Sequence, residues 1–233
     1  MQKINRVRTG IPGLDAIIGG GIPEGDLILL SGTCGTGKTI FGIEFLYFGK
    51  EPGFYITFEE HVSELRSQAS SFGWDLKKSE EKGILKITRY DPYKLEDILT
   101  MIENNIREIN ATRVVIDSVP SFAIHMRDES EVRRTLSEIY NILKKNNCTS
   151  IIISDSPTET KAISKFGVEE FILDGVIILR KILERDEYKR ALNVWKMRST
   201  AHSTKFHIYE INKRGLIVYP KKVVDFRNVQ FFT

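Results

Sequence analysis

One short segment, residues 32–39, constrains what this chain can fold into more than any other, because it reads GTCGTGKT. The segment fits the pattern GxxxxGK(S/T), in which glycines let the backbone curl until consecutive N–H groups point at phosphate oxygens. An apolar stretch at 27–31 precedes it, and apolar residues at helical spacing from Ile40 to Leu46 follow it. This order predicts a strand, a phosphate-binding loop and a helix N-terminus, which is typical of a parallel α/β sheet.

The rest of the sequence alternates between short apolar runs and helical periodicity, as repeated β-α-β units do. Strands are predicted at 54–58, 84–89, 114–117 and 150–154. Runs such as 114–116 are apolar throughout, as expected of parallel strands that helices cover on both faces. Apolar residues at helical spacing predict helices over 95–109 and 132–143. The pattern then changes to strands without intervening helices, at 176–183, 188–197, 206–211 and 216–219. Turns are predicted between them, at 185–186 and 212–215.

We therefore predict one α/β domain over residues 1–233, in which antiparallel strands complete a parallel core spanning about residues 8–220. No linker-like segment or repeat interrupts it. A chain of this size buries about 70% of its unfolded surface, so its core needs no disulfide or metal. The C-terminal tail at 221–233 is rich in apolar side chains, and we expect it to pack on its own domain, the alternative being a neighbouring copy.

Composition excludes several classes of protein. Hydrophobic residues make up 41% and charged residues 28% of the chain, which is typical of a globular protein. The two cysteines, Cys34 and Cys148, provide neither a disulfide framework nor paired metal-ligand spacing, so we expect a reducing, cytoplasmic location. No uncharged apolar run approaches the roughly 18 residues of a membrane span, and no membrane association is expected.

Positive charge is concentrated in one part of the chain. The whole sequence has a formal net charge of +3, whereas residues 175–222 hold 12 Lys and Arg against 4 Asp and Glu. A segment of this kind is either a solvated face or a surface that meets a polyanion. The sequence pattern alone leaves both interpretations open.

The phosphate-binding loop carries the first candidate site residues. Lys38 would bridge the β- and γ-phosphates of a nucleotide, and the Thr39 hydroxyl would be a ligand of Mg²⁺. Asp117 ends the apolar run at 114–116 and would hold the same ion through water. An acidic residue at the end of a strand is also a common turn or cap residue, but the presence of the loop favours the metal-binding role.

Two adjacent carboxylates are candidates for activating water. Glu59 and Glu60 directly follow the predicted strand at 54–58, so they lie at the carboxyl edge of the sheet, where open α/β sheets bind ligands. A carboxylate at this edge can orient and polarise an attacking water molecule. Adjacent glutamates are also common in solvated loops, and it is their position after an early strand that makes them candidates.

Several further motifs follow one another in a fixed order: RTGIPGLD at 8–15, GGGIP at 19–23, YITFEE at 55–60, SFGWD at 71–75, GVEEF at 167–171 and WKMR at 195–198. Together with the loop they resemble the KaiC family of ATPases, within the RecA/RadA superfamily, from about residue 8 to residue 220. KaiC carries two such domains in tandem, whereas this sequence carries one and resembles the single-domain KaiC-like ATPases of archaea. The resemblance does not extend to the clock role.

The resemblance implies a RecA-type core and a homo-oligomeric ring, a hexamer, that binds ATP or ADP with Mg²⁺ at its subunit boundaries. It implies that Glu59 and Glu60 activate water. It also implies that Lys196 and Arg198 reach the γ-phosphate bound by the neighbouring subunit, which would account for part of the basic segment. The alternative for these two cations is an exposed strand face, on which alternate residues share one side.

The resemblance further implies which residues contact the nucleotide. Those expected in its own subunit are Gly32, Thr33, Cys34, Gly35, Thr36, Gly37, Lys38, Thr39, Ile40 and Ser71. Those expected across the subunit interface are Thr200, His202, Ile211, Asn212 and Lys213.

The sequence departs from the family pattern at three places. Ser199 replaces the usual glycine after Lys-x-Arg, and Asn212-Lys213 replace a usual Thr-Asp, which leaves the adenine and ribose contacts open. Glu170 and Phe171 stand where self-phosphorylating KaiC domains have a Ser-Thr pair. Neither side chain can accept a phosphoryl group by that chemistry, so we expect ATP hydrolysis without autokinase activity.

Two other functions would use the same pocket, and the sequence does not decide between them and hydrolysis. The chain can be a nucleotide-gated interaction module in which hydrolysis is slow and ATP mainly assembles the ring. It can also be a DNA-binding ATPase of recombinase type, although it has no separate nucleic-acid module and its pI of 8.7 is only mildly basic. The sequence predicts no particular protein partner and no pathway.

Overall fold

The computed structural model describes residues 4–91, 98–124, 126–156, 162–184, 186–225, 227 and 229–231. Its strands are β1 Arg6–Val7, β2 Ile22–Pro23, β3 Leu27–Gly32, β4 Gly53–Thr57, β5 Leu85–Arg89, β6 Arg113–Asp117, β7 Thr149–Asp155, β8 Gly175–Glu184, β9 Glu187–Met197, β10 His207–Asn212, β11 Gly215–Val223 and β12 Val229–Phe231. Its helices are α1 Leu14–Ile17, α2 Lys38–Tyr47, α3 Val62–Ser71, α4 Leu76–Glu81, α5 Ile98–Ile109, α6 Val119–Ala123, α7 Glu129–Lys145 and α8 Glu169–Ile172.

A mostly parallel sheet forms the centre of the structure. Its strand order is β11-β10-β9-β8-β3-β7-β6-β4-β5, and β1 and β2 form a separate small ribbon. The strands from β5 across to β8 are parallel, and β9, β10 and β11 continue the sheet antiparallel. Because β3, β4, β6 and β7 are parallel, their last residues meet at one carboxyl edge: Gly32, Thr57, Asp117 and Asp155.

Helices cover both faces of this sheet. The apolar sides of α1 to α4 pack on one face, and those of α5 to α8 pack on the other. A strand enclosed in this way must be apolar on both sides, and Val114, Val115 and Ile116 of β6 are all fully buried. Each such side chain contributes roughly 1.5–3 kcal/mol to folding. This burial holds the carboxyl edge in a fixed position.

The predicted α/β fold with antiparallel C-terminal strands is confirmed. Each strand predicted from an apolar run is present, and most of the bounds agree within a residue or two; β11 extends four residues further, to Val223. The helix predicted over 95–109 is observed from Ile98, since residues 92–97 lie outside the described part of the chain. Arg185 of one predicted turn also lies outside it, whereas the predicted turn at 212–215 joins β10 to β11.

The C-terminal tail returns to its own sheet. Residues Val229–Phe231 form β12, which pairs antiparallel with β8 at Ile182, Leu183 and Glu184. Phe226 and Phe232 of the predicted apolar tail lie outside the described residues. Among the helices that the structure describes, none combines the length and apolar character needed to cross a membrane.

Candidate functional site

The loop between β3 and α2 has the geometry of a phosphate cradle. Gly35 and Gly37 adopt positive φ angles of 68° and 92°, which glycine reaches without strain. A Cβ on Gly32 would lie 2.6 Å from the Leu179 carbonyl oxygen and 2.9 Å from the Thr36 hydroxyl oxygen. Helix α2 begins at Lys38, so its first N–H groups and the positive end of its dipole face the loop. A phosphate group fits this cradle.

Lys38 folds back over the loop. Its Nζ donates to the carbonyl oxygens of Gly32 at 2.8 Å and Thr33 at 3.1 Å, and it lies 3.0 Å from Oδ1 of Asp155. The ammonium group is thus held by oxygens at the mouth of the loop, where phosphate oxygens can replace them. Asp155 was not among the sequence candidates, although its place at the end of β7 is the same signal that identified Asp117.

Thr39 and Asp117 form an oxygen-rich pair beside the loop. The Thr39 hydroxyl donates to Oδ2 of Asp117 at 3.0 Å, and the Tyr55 hydroxyl donates to the same oxygen at 2.6 Å. Burial raises the pKa of Asp117 above its ordinary value, and these two hydrogen bonds and the charge of Lys38 oppose that shift. Hydroxyl and carboxylate oxygens are the ligands Mg²⁺ prefers, so this pair can hold that ion. Sequence reasoning missed Tyr55, which reads as an ordinary core residue.

The two glutamates after β4 point in different directions. Oε1 of Glu60 lies 3.5 Å from the Thr39 hydroxyl, and its Oε2 accepts a hydrogen bond from Gln68 Nε2 at 2.6 Å. Burial raises the pKa of Glu60, and the neighbouring charge of Asp117 raises it further. Glu59 is exposed and accepts a hydrogen bond from the Ser121 hydroxyl at 3.0 Å. Glu60 is therefore the carboxylate nearer to the Thr39–Asp117 pair.

Lys196 and Arg198 lie at the opposite edge of the sheet from their own loop. Lys196 Nζ donates to the carbonyl oxygens of Glu170 at 2.9 Å and Leu173 at 2.6 Å, and Arg198 Nη1 donates to Asp174 Oδ1 at 3.0 Å. Asp174 in turn accepts the N–H of Leu27, the first residue of β3.

The length of β3 separates these cations from the loop. The strand runs for 6 residues from Leu27 to Gly32, which at about 3.3 Å per residue is roughly 16 Å. The side chain of Arg198 is 52% exposed, so it can reach a group outside the chain. Within one chain the structure does not bring these two cations together with Lys38, Thr39 and Asp117.

The segment after Arg198 is fixed against the N-terminal part of the chain. Arg6 Nη1 donates to the Thr200 hydroxyl at 3.1 Å, and the Ser203 N–H donates to the Ile17 carbonyl oxygen at 2.8 Å. His202 Nδ1 lies 3.0 Å from the Ser203 carbonyl oxygen. Ser199 adopts a φ of 54°, a left-handed conformation that explains why glycine is the usual residue of the family there. Thr200 and His202 thus lie in a segment that contacts Arg6 and helix α1.

The β10–β11 hairpin lies on the loop of its own chain. The Tyr209 hydroxyl donates to the Thr36 carbonyl oxygen at 2.6 Å, and a Cβ on Gly37 would lie 2.5 Å from Cδ1 of Ile211. The resemblance implied that Ile211, Asn212 and Lys213 face the nucleotide across an interface, whereas the structure puts Ile211 against its own phosphate-binding loop. The reason is a long-range contact between strand β10 and the start of α2, for which the sequence carries no local signal.

Ser71 and Ile40 are two further residues that were expected to contact the nucleotide. Ser71 is exposed at the end of α3, and its hydroxyl donates to the Gln68 carbonyl oxygen at 2.6 Å. Ile40, in the first turn of α2, is half-buried and packs against the core.

The two cysteines occupy opposite environments. Cys34 is exposed at the tip of the loop. Cys148 is fully buried, and burial raises the pKa of its thiol to about 12, so it cannot supply a reactive thiolate at neutral pH.

We expect a thiol-alkylating reagent to modify Cys34 selectively and to block nucleotide binding by filling the loop with bulk. Mass spectrometry of digested protein should report one modified cysteine, and bound ATP should slow its modification. Cys34→Ser provides the control, which should bind nucleotide and resist the reagent. If alkylated Cys34 leaves nucleotide affinity unchanged, the side chain points away from the pocket.

Fold and site together define a class: a P-loop protein with a RecA-type sheet, in which the loop after β3 and the acid ending β6 meet at one edge. The chain belongs to the KaiC family of ATPases, since it matches the family described as "ATPase: KaiC" over residues 7–223.

Similar proteins agree with this assignment. The solved structure of a KaiC-like protein from Pyrococcus horikoshii OT3 is 40% identical, covers 94% of this chain and 100% of its own, and superposes with a TM-score of 0.86. A UPF0273 protein of Pyrococcus furiosus is 39% identical, over 95% of this chain and 96% of its own length. The circadian clock oscillator protein KaiC of Synechococcus elongatus is 38% identical over 94% of this chain, which spans 45% of that protein.

Proposed function

We propose that this protein is a Mg²⁺-dependent ATPase that works in the cytoplasm as a homo-oligomeric ring, a hexamer, with ATP bound at the subunit boundaries. The observation that carries the proposal is the pairing of Thr39 with Asp117 at 3.0 Å, beside the N-terminus of the helix that follows the loop. This pairing assembles a hydroxyl and a carboxylate where a nucleotide on the loop would present its β- and γ-phosphates.

Each residue at this edge has a distinct task in hydrolysis. Lys38 exchanges the carbonyl oxygens of Gly32 and Thr33 for phosphate oxygens and neutralises the charge that develops on them. Glu60, assisted by Glu59, orients an attacking water and takes up its proton. Bound Mg²⁺ would add positive charge on the phosphate oxygens.

The ring explains the position of Lys196 and Arg198. They lie at the opposite end of β3 from their own loop, with the roughly 16 Å length of that strand between them, and so they are placed to serve a loop on a neighbouring copy. In a head-to-tail ring every boundary joins two different surfaces, and in the proposed ring these are the loop edge of one copy and the opposite edge of the next. The two cations would then contact the γ-phosphate from the second copy and complete the site.

We expect Glu60→Gln to slow ATP hydrolysis by at least about a hundredfold while changing ATP affinity by less than about threefold, because an amide cannot take a proton from water. Glu59→Gln should have a smaller effect, since Glu59 faces Ser121. Single-turnover phosphate release and equilibrium nucleotide binding separate the two quantities. Glu81→Gln, on an exposed part of α4, is the matched control. If the Glu59→Gln/Glu60→Gln double variant hydrolyses ATP at the wild-type rate, another group activates water.

A further inference from the structure

Glu44 is a carboxylic acid sealed in the core. It lies on α2 and is fully buried. One carboxyl oxygen, Oε2, accepts the backbone N–H of Leu216 at 2.8 Å. The other, Oε1, is buried and has no hydrogen-bond partner among the residues that the structure describes. Burying an acid with an unsatisfied oxygen lowers the free energy of unfolding. The presence of Glu44 at this position therefore needs an explanation other than stability.

Glu44 holds one end of the β10–β11 hairpin, and two other contacts hold the rest. The Tyr209 hydroxyl bonds to Thr36, and the Ile211 side chain lies on Gly37. Leu216, the second residue of β11, bonds to Glu44. The hairpin is thus fixed at three points, all of them on the phosphate-binding loop or the helix that follows it.

The turn of the hairpin fits closely between α2 and an aromatic cluster. Gly215 has a φ of 104°, and a Cβ there would lie 2.5 Å from Trp74 and 2.8 Å from Oε2 of Glu44. Trp74 is itself stacked on Phe72 with ring centroids 4.8 Å apart. Trp74 therefore leaves no room for a Cβ at position 215, and the glycine there lets the hairpin approach Glu44.

We propose that Glu44 is a positioning residue that fixes the β10–β11 hairpin beside the phosphate-binding loop, so that the hairpin can contact the nucleoside half of the bound nucleotide. The inference rests on the proposed function, because it assumes that a nucleotide occupies the loop. In this proposal the phosphates contact the loop itself, and the base and ribose extend beyond it to lie beside Asn212 and Lys213 at the end of β10. Loss of Glu44 should therefore weaken nucleoside contacts and spare phosphate contacts.

Protonation of Glu44 decides whether this arrangement is stable. Burial raises the pKa of Glu44 to about 8, and the Leu216 N–H opposes the shift. The elements packed against Glu44 carry these titratable side chains: Lys38 and Tyr47 on α2, His207, Tyr209 and Glu210 on β10, Lys213 and Arg214 in the turn, Tyr219, Lys221 and Lys222 on β11, and Asp75 beside Trp74. None of them is a cause of this shift. With this pKa most of the acid is neutral at pH 7. Above pH 8 the carboxylate is ionised in a buried place, which favours a movement of the hairpin that admits water to it.

The direction of the pH effect follows from these values. Folded Glu44 binds its proton more tightly than in the unfolded chain, where its pKa is near the ordinary 4.5. Its contribution to the free energy of unfolding therefore falls as pH rises from about 4.5 to about 8 and is constant above that range. Glu44→Gln keeps an oxygen acceptor for Leu216 and cannot ionise, so it should remove this dependence.

The test compares ATP with tripolyphosphate, which offers phosphates without a nucleoside. Glu44→Leu removes the acceptor, and we expect it to weaken ATP binding about tenfold at pH 7 while tripolyphosphate affinity changes less than about twofold. Wild-type affinity for ATP relative to tripolyphosphate should fall between pH 7 and pH 9. Glu44→Gln should match wild type at pH 7 and lose that fall. Calorimetric titration of each full-length protein with each of the two compounds, at pH 7 and pH 9, measures these affinities.

A second variant covers the case in which Glu44→Leu does not fold. Gly215→Ala pushes the hairpin away from Trp74 and should reproduce the selective loss of ATP affinity. Gly83→Ala is its matched control, because Gly83 also has a positive φ, 67°, but an added Cβ there meets nothing within 4 Å.

Each outcome has a definite meaning. Equal losses for ATP and tripolyphosphate, or no loss for either, would overturn the positioning role of Glu44 while leaving the proposed ATPase function standing. Wild-type protein that binds neither compound would instead overturn the proposed function, and this inference with it.

Discussion

Lys38→Ala is expected to abolish measurable ATP binding and hydrolysis, with a loss of at least about a thousandfold in turnover. Lys38 is the side chain of the loop that carries a full positive charge, and three oxygens already hold its Nζ at the mouth of the cradle. Removing it leaves the phosphates without their main charge partner on the loop. The measurement is equilibrium binding of a fluorescent ATP analogue, together with steady-state phosphate release.

The control for this variant must separate charge at the loop from charge in general. Lys77→Ala removes an exposed lysine from α4 and should leave both binding and hydrolysis unchanged. Circular dichroism should show that Lys38→Ala is folded, because the half-exposed Asp155 loses only a pairing that water can replace. Retained affinity and rate would mean that the phosphates bind elsewhere.

Arg198→Ala is expected to eliminate hydrolysis without unfolding the chain. Its partner Asp174 keeps other hydrogen bonds when Arg198 is lost: Lys144 Nζ at 2.8 Å, the Leu27 N–H at 3.1 Å and the Tyr140 hydroxyl at 3.1 Å. The carboxylate therefore stays paired, and no buried charge is left alone. If Arg198 stabilises the transition state from a neighbouring copy, its loss should lower turnover by about 10³ or more.

The measurement for Arg198→Ala is ATP turnover alongside thermal unfolding. Lys221→Ala, which removes an exposed cation near the end of β11, is the matched control and should keep full activity. A parallel loss of folding and activity in Arg198→Ala would point to a structural role of the residue in its own chain. Full activity would favour the alternative in which Arg198 is part of an exposed face and has no role in hydrolysis.

The sequence predicted the parallel core because each buried strand must be apolar on both sides, and that requirement is visible in runs such as 114–116. It predicted the phosphate-binding loop for a similar reason, since the backbone curl needs glycines at fixed spacing. Both are local signals. The sequence also predicted that four site residues lie at one edge of the sheet, because parallel strands share a carboxyl edge. These residues are Lys38, Thr39, Asp117 and Glu60.

The features that the sequence did not predict depend on contacts between distant parts of the chain. Tyr55 reads as a core residue, but its hydroxyl bonds to Asp117 because β4 and β6 are neighbours in register. Ile211 reaches its own loop because β10 folds back over α2. Glu44 lies among apolar residues of α2, and nothing in the local pattern predicts that an acid there would be sealed under a hairpin. Strand order and register set these contacts, and no single segment of the sequence predicts them.

The central claim is that each active site combines the loop of one copy with Arg198 of the next. The most direct test mixes Lys38→Ala protein with Arg198→Ala protein, each inactive alone, under conditions of demonstrated subunit exchange, and follows phosphate release together with native mass. In a random one-to-one ring, about a quarter of the boundaries would pair an intact loop with an intact Arg198. The account predicts that mixing restores activity at those boundaries. Continued inactivity after exchange would contradict it, because a site contained within one chain cannot be completed by another copy.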